Sequence, residues 1–171
     1  MAAIGLIMLV LLSGCVGGET DAGAPPAKVR TTVDLNAITL VDGQLLYVPA
    51  YSEIYYADQE RTWDFAITLA VHNADPARSI IVESLAYYNG DGLWVHDYVE
   101  QPFLLPPLAT HAVTVPRDDK SGGVGANFLV KWTAEEAVVD PVVEAVMISA
   151  AGQQGLSFIT TSRIIEELSV P

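Results

Sequence analysis

The residues best able to do chemistry gather between Asp118 and Asn127. Ser121-Gly122-Gly123-Val124-Gly125-Ala126-Asn127 sets three glycines among a hydroxyl and an amide. Glycines let a backbone approach a ligand or take positive φ. A phosphate-cradling loop would also need a Lys-Ser/Thr pair and a following helix, and here a strand pattern follows without that pair. The expectation is a structural loop with Asn127 bonding backbone groups, or a loop that contacts a ligand other than a nucleotide. Its candidate residues are Asp118, Asp119, Ser121, Gly122, Gly123, Gly125 and Asn127. The adjacent carboxylates Asp118 and Asp119 suit a turn cap, with Ca²⁺ held by carboxylates and backbone carbonyls as the weaker alternative. Asn89-Gly90-Asp91-Gly92 lacks the alternating ligands and terminal Glu of a calcium loop and reads as a hairpin turn, with Asn-Gly supplying the positive φ.

His72, His96 and His111 stand at no spacing typical of zinc. His72 falls on the polar parity of its strand and is expected in solvent; His96 and His111 share parity with bulky neighbours and are expected half-buried. Gly-x-Ser-x-Gly does not occur, and Ser121 has no identifiable base. No catalytic residue and no metal ligand set is assigned, and no enzyme is expected. Tyrosine and tryptophan combine apolar area with a polar tip, which suits binding surfaces. Tyr51, Tyr55, Tyr88 and Trp94 are the candidates for an outward aromatic patch. The adjacent pairs Tyr55-Tyr56 and Tyr87-Tyr88 are expected to place one ring on each face of a sheet.

Charge narrows the partners. The 171 residues carry 8 Lys+Arg against 21 Asp+Glu, a net charge of −13. Such a surface repels nucleic-acid phosphates and anionic lipid heads. The carboxylates are scattered, which suits solubility better than a dedicated cation site. With 51% hydrophobic residues the chain can bury a core of ordinary size without disulfides.

The single cysteine, Cys15, has no partner within the chain. Ahead of it, Ile4–Leu12 is a short apolar run closed by small residues, the pattern of a secretory signal. Twelve helical residues rise about 18 Å, too little for a hydrocarbon core of about 30 Å, so a membrane span is disfavoured. Leu12-Ser13-Gly14-Cys15 resembles the lipobox of bacterial lipoproteins. That resemblance implies cleavage between Gly14 and Cys15 and a diacylglycerol on the Cys15 sulfur, which with a further acyl chain anchors stably. The leading Met1-Ala2-Ala3 departs from the pattern in having no Lys or Arg. No other cofactor is expected. Val16–Arg30, rich in Gly, Ala and Pro, reads as a tether with a span of about 20 Å.

Thr31 onward is expected to form one domain. Thr62–Asn73 alternates most clearly, with Trp63, Phe65, Ile67, Leu69 and Val71 on one parity. Gln44–Tyr56 carries Pro49, which suggests an edge or a bulge. Ser79–Tyr88, apolar on both parities, reads as a central strand, and Leu93–Val99 as its return. Phe103–Leu105, Thr110–Val115, Ala126–Thr133, Val142–Ser149 and Leu156–Thr161 follow, while Ser162–Leu168 fits a strand or a helical turn. About eight strands at this spacing predict an all-β, antiparallel, immunoglobulin-like β-sandwich, with a partly closed β-barrel as alternative.

Several segments share one resemblance. They are Tyr47-Val48-Pro49-Ala50-Tyr51-Ser52-Glu53-Ile54-Tyr55, Val71-His72-Asn73-Ala74-Asp75-Pro76, Tyr87-Tyr88-Asn89-Gly90-Asp91-Gly92 and Ser121–Phe128, then Glu144-Ala145-Val146-Met147-Ile148 and Gly155-Leu156-Ser157-Phe158. In this order they resemble the bacterial lipoproteins grouped as domain of unknown function 3124, over Leu45 to Ile165. The resemblance implies a lipoprotein context and brings no activity with it. The resulting expectation is a lipid-anchored, extracytoplasmic, non-enzymatic module that binds an envelope protein or a small ligand. A structural or assembly component of the envelope is the first alternative, and a metal-dependent hydrolase the second.

Overall fold

The structure, a computed structural model, describes residues 30–151 and 154–168. The expected signal, its cleavage site at Gly14, the lipidated Cys15 and nearly all of the tether lie outside the described residues. A single 3-10 turn at Leu35–Ala37 precedes the strands, capped by the Asp34 side chain.

Twelve strands follow: β1 (Asp42–Pro49), β2 (Glu53–Tyr56), β3 (Asp58–Asp64), β4 (Ala66–His72), β5 (Ile80–Tyr88), β6 (Trp94–Asp97), β7 (Phe103–Leu105), β8 (Thr110–Val115), β9 (Asn127–Ala134), β10 (Val142–Ala151), β11 (Gln154–Thr161) and β12 (Arg163–Glu167). One sheet runs β12-β1-β9-β5-β6, with β7 also on β5; a second runs β11-β10-β4-β8; β2 and β3 form a hairpin. Every strand pairing is antiparallel. No sheet closes on itself, so the architecture is the β-sandwich and not the barrel.

The alternation in sequence becomes the core because successive strand residues point to opposite faces. Leu46 and Val48 of β1, Phe128, Val130 and Trp132 of β9, and Leu85 and Tyr87 of β5 face Ile67, Leu69 and Val71 of β4 and Val143, Ala145 and Met147 of β10 in one buried cluster. Trp132 carries its polar atom inward and donates Nε1–H to Gln44 Oε1 at 3.3 Å. β5 is central as expected, bordered by β9 on one side and by β7 and β6 on the other.

Five expectations need correction. Among the described residues the strands number twelve rather than about eight: Gln44–Tyr56 divides into β1 and β2, β12 adds a strand at the end, and Thr62–Asn73 is cut at Phe65, whose N–H leaves the ladder and donates to Ser52 O at 2.8 Å. The parity survives the break, and Phe65 stays fully buried. Pro49 marks neither an edge nor a bulge: it ends β1, an interior strand, where β12 no longer pairs, so its missing N–H costs nothing. Tyr55 and Tyr56 are both exposed, because the β2–β3 ladder shifts register between them and Ala57 turns the chain at φ 63°. The Asn89 turn places its positive φ at Gly92 rather than Gly90, a type I turn closed by a left-handed glycine. His96 is exposed rather than half-buried. Ser162–Leu168 resolves as the strand β12.

Candidate functional site

Two loops meet beyond the end of β5. The Asn89 turn is held by its own side chain: Asn89 Oδ1 accepts from the N–H groups of Asp91 and Leu93 at 3.0 and 2.9 Å. The loop after β8 is wound by successive turns, Asp119 N–H to Pro116 O and Gly123 N–H to Lys120 O, while Asp119 Oδ1 accepts from Ser121 N–H at 2.9 Å. Asp119 is therefore the turn cap. Pairing of Tyr88 with Asn127 across β5 and β9 brings the loops together. They then dock through backbone: Gly90 N–H donates to Gly122 O at 3.0 Å, and Ser52 Oγ donates to Gly123 O at 3.2 Å.

The glycines serve this docking. A Cβ on Gly90 would stand 2.8 Å from Val124 O, and one on Gly122 would overlap the Tyr87 hydroxyl. Gly123 and Gly125 take φ of 62° and 99°, the left-handed region that L side chains avoid. Tyr87 is fully buried, with its ring 4.7 Å from that of Phe128. Its hydroxyl has no hydrogen-bond partner. Burial pushes the phenol up to about 12; the Ser52 hydroxyl beside it opposes the shift without reaching bonding geometry.

Outside this seam lies a groove of about 350 Å³ between Glu53 and Tyr55 of β2, Asn89–Asp91 of the turn, and Lys120–Val124 of the loop. It gathers Ser121, Gly122, Gly123 and Tyr55 from the sequence expectation. Asp118 lines a neighbouring hollow of about 340 Å³ with Asp64, Arg117 and Lys120. Lys120 Nζ lies 3.1 Å from Asp64 Oδ1 and stands between the two hollows. Gly125 and Asn127 line neither; Asn127 opens β9, and among the described residues its side chain makes no hydrogen bond, so the expected bonding to backbone is absent.

The aromatic candidates divide. Tyr55 flanks the groove and is 51% exposed. Tyr88 pairs with Trp94 across β5 and β6, and Trp94 donates to Asp97 Oδ1 at 3.1 Å. Tyr51 instead packs half-buried on Phe158 of the other sheet at 5.9 Å. Tyr51 thus belongs to the edge of the core and not to an outward patch. Glu53, Asn89, Asp91 and Lys120 also line the groove; the sequence showed Asn89 and Asp91 only as parts of a hairpin turn, and Glu53 and Lys120 only as polar neighbours of Tyr55 and Ser121.

The histidines offer no base here. His111 is buried beneath Phe103, and Arg30 Nη2 stands 2.8 Å from its Nδ1. Arginine only donates, so Nδ1 accepts and the ring proton sits on Nε2, which lacks a partner. Burial first, then the Arg30 charge, depresses His111 to about 4, so at neutral pH the ring is uncharged and its one lone pair is engaged. Arg30 also lies 4.6 Å over the Phe103 ring and lines a cleft of about 370 Å³ with Tyr98, Glu100 and Gln101. His72 meets Thr110 Oγ1 at 2.9 Å and Glu144 at 3.8 Å. Among the described residues no three His, Cys, Asp or Glu side chains come together as a metal site.

Comparison with protein families gives a match. The family model described as a protein of unknown function, DUF3124, covers residues 43–165. The chain belongs to this family. The matched DUF3124 region begins within β1 and ends within β12, so it takes in both sheets and both loops of the groove. No curated protein and no solved structure matches the chain.

Proposed function

We propose that this DUF3124 protein is a lipid-anchored, extracytoplasmic binding module that engages an envelope protein or small ligand without transforming it. The observation that carries the binding part is the convergence of Tyr55, the Asn89 turn and the Lys120–Val124 loop on one polar groove. These segments are remote in sequence, and their docking through bare glycine backbone leaves Lys120, Ser121, Asp91 and Glu53 facing a shared space. The set supplies donors, acceptors and an aromatic face, the ingredients of recognition. It offers no general base held against a nucleophile, which speaks for binding over chemistry. The anchor part rests on the apolar run and Leu12-Ser13-Gly14-Cys15.

The test is photocrosslinking in the protein's own cells, with a photoreactive residue at Tyr55 in the full chain and Cys15→Ser as control. The expected result is a discrete adduct from the membrane fraction, reduced by Lys120→Ala. No adduct from Tyr55, alongside efficient adducts from a photoreactive residue at Gln101 in the Arg30 cleft, would move the binding site away from the groove. A Cys15→Ser chain that is still processed and still membrane-bound would overturn the lipid anchor.

A further inference from the structure

β11 ends its sheet, bordered by β10 on one side only. Its register with β10 runs from Glu144↔Thr161 to Ala151↔Gln154. Among the described residues, the backbone groups on its other side make no backbone hydrogen bond. Folded proteins guard such edges with charge, proline or brevity. The other edges follow that rule. β12 carries Arg163, Glu166 and Glu167; β6 is four residues with Asp97; β8 is six residues set between Pro107 and Pro116. β11 is eight residues with neither charge nor proline, and no charged residue occurs anywhere between Glu144 and Arg163.

The face beside this edge has the same character. Ile159, Val146, Thr68 and Thr114 form one row across the outer face of the four strands. Ile159 and Ile148 are 59% and 53% exposed. Among the strand residues of that face, Glu144 is the only carboxylate, and His72 lies against it. This is an uncharged strip on a chain of net charge −13.

We propose that β11 is the docking edge for a second copy of this chain, the two copies pairing antiparallel so that their four-stranded sheets become one. Identical strands paired antiparallel are related by a two-fold axis, so the contact closes at two copies. Free N–H and C=O groups supply the affinity, as in strand addition generally. Charge selects the occupant. Two bodies of like charge meet most readily where they bury no carboxylate, and β11 is the longest such edge among the described residues, β8 being shorter; a basic partner would be drawn to the carboxylates elsewhere. Screening by salt therefore tightens the pair, whereas it would loosen a complex with a basic partner.

Sedimentation velocity of the full chain in mild detergent, at low and high salt, tests this. The expected result is a monomer–dimer equilibrium that shifts toward dimer with salt. Ser157→Lys and Ile159→Lys, each placing like charges across the two-fold, weaken it about a hundredfold. Ile164→Lys on the β12 edge leaves it unchanged, and circular dichroism checks that each variant keeps its strands. A chain monomeric at every concentration and salt overturns the proposal, as does a dimer indifferent to both β11 variants. A monomeric Cys15→Ser chain whose flotation with neutral phosphatidylcholine vesicles is abolished by Ile159→Lys overturns it too, and assigns the face to a lipid surface.

Discussion

The two ends of the sandwich hold their loops by opposite means. β5 runs from one to the other. At its start, polar side chains do the work: Asn73 Nδ2 donates to the carbonyls of Arg78, Leu105 and Pro106 at 2.8, 3.0 and 3.0 Å, and its Oδ1 accepts from Asp75 N–H. Asp75 in turn accepts from the N–H groups of Ala77, Arg78 and Val139, and Arg78 lies beside it. Both residues are 2% exposed, and each polar atom has a partner. At the far end, backbone docks on backbone through Gly90 and Gly122, and the Tyr87 hydroxyl is buried without one. A satisfied network fixes one arrangement, whereas a seam of glycine contacts leaves side chains free to face a groove. The first end is tied down by side chains, and the second leaves a groove open beside its seam.

Breaking the rigid end should cost most. Asn73→Ala removes the side-chain donor to the carbonyls of Arg78, Leu105 and Pro106, the last of which keeps Ala109 N–H, and the acceptor of the Asp75 N–H; it is expected to lower the free energy of unfolding by about 3–5 kcal/mol in urea titrations. Asn73→Asp should not rescue it, because a carboxylate cannot donate to those carbonyls.

Acid should reach the same end next. His111 is 4% exposed and depressed to about 4 against an ordinary 6.5, so below pH 6.5 the unfolded chain binds the proton that the folded chain refuses. Stability is full above pH 6.5 and falls by about 2–3 kcal/mol as pH drops toward 4. Asp75, held below its ordinary 3.8 chiefly by the backbone N–H of Ala77 and then those of Arg78 and Val139, adds a second loss at still lower pH. Hydrogen exchange should show residues 73–78 and 105–111 opening before residues 89–92 and 120–125. The His111→Gln variant should lose the step between pH 6.5 and 4.

Substitutions at the contact end should be milder. Gly122→Ala drives a methyl into the Tyr87 phenol and is expected to cost about 1–3 kcal/mol, with part recovered when Tyr87→Phe is added. Tyr87→Phe alone removes an unpaired buried hydroxyl, so it should leave thermal stability unchanged or raise it by up to about 1 kcal/mol. A loss of more than that would mean that the phenol is bonded in solution, and the contrast between the ends would narrow.

Sequence reasoning reached what burial writes as a period. Phe128, Val130 and Trp132 were legible because one face of β9 is apolar, and β7 and β8 because prolines bound them. The β2–β3 hairpin was illegible since the first half of β3, Asp58–Arg61, is polar and exposed, leaving no alternation to detect there. Asn73-Ala74-Asp75-Pro76 carries the residue types of a turn, yet the partners of Asn73 and Asp75, among them Leu105, Pro106 and Val139, lie far along the chain. The groove was half visible. The glycine loop and Tyr55 stood out, while the meeting of loop, turn and β2 depends on the pairing of β5 with β9.

The register of β1 has a consequence for folding. β1 comes first among the strands, but it lies between β9 and β12, and β12 is the last strand described. A chain emerging amino end first carries β1 with neither neighbour until most of the domain has followed. The sheet can then close only after long-range encounters, which folds slowly compared with local hairpins. Until β12 arrives, a free edge of β1 is open to misplaced strands, so the domain gains from being held unfolded until the whole of it is present.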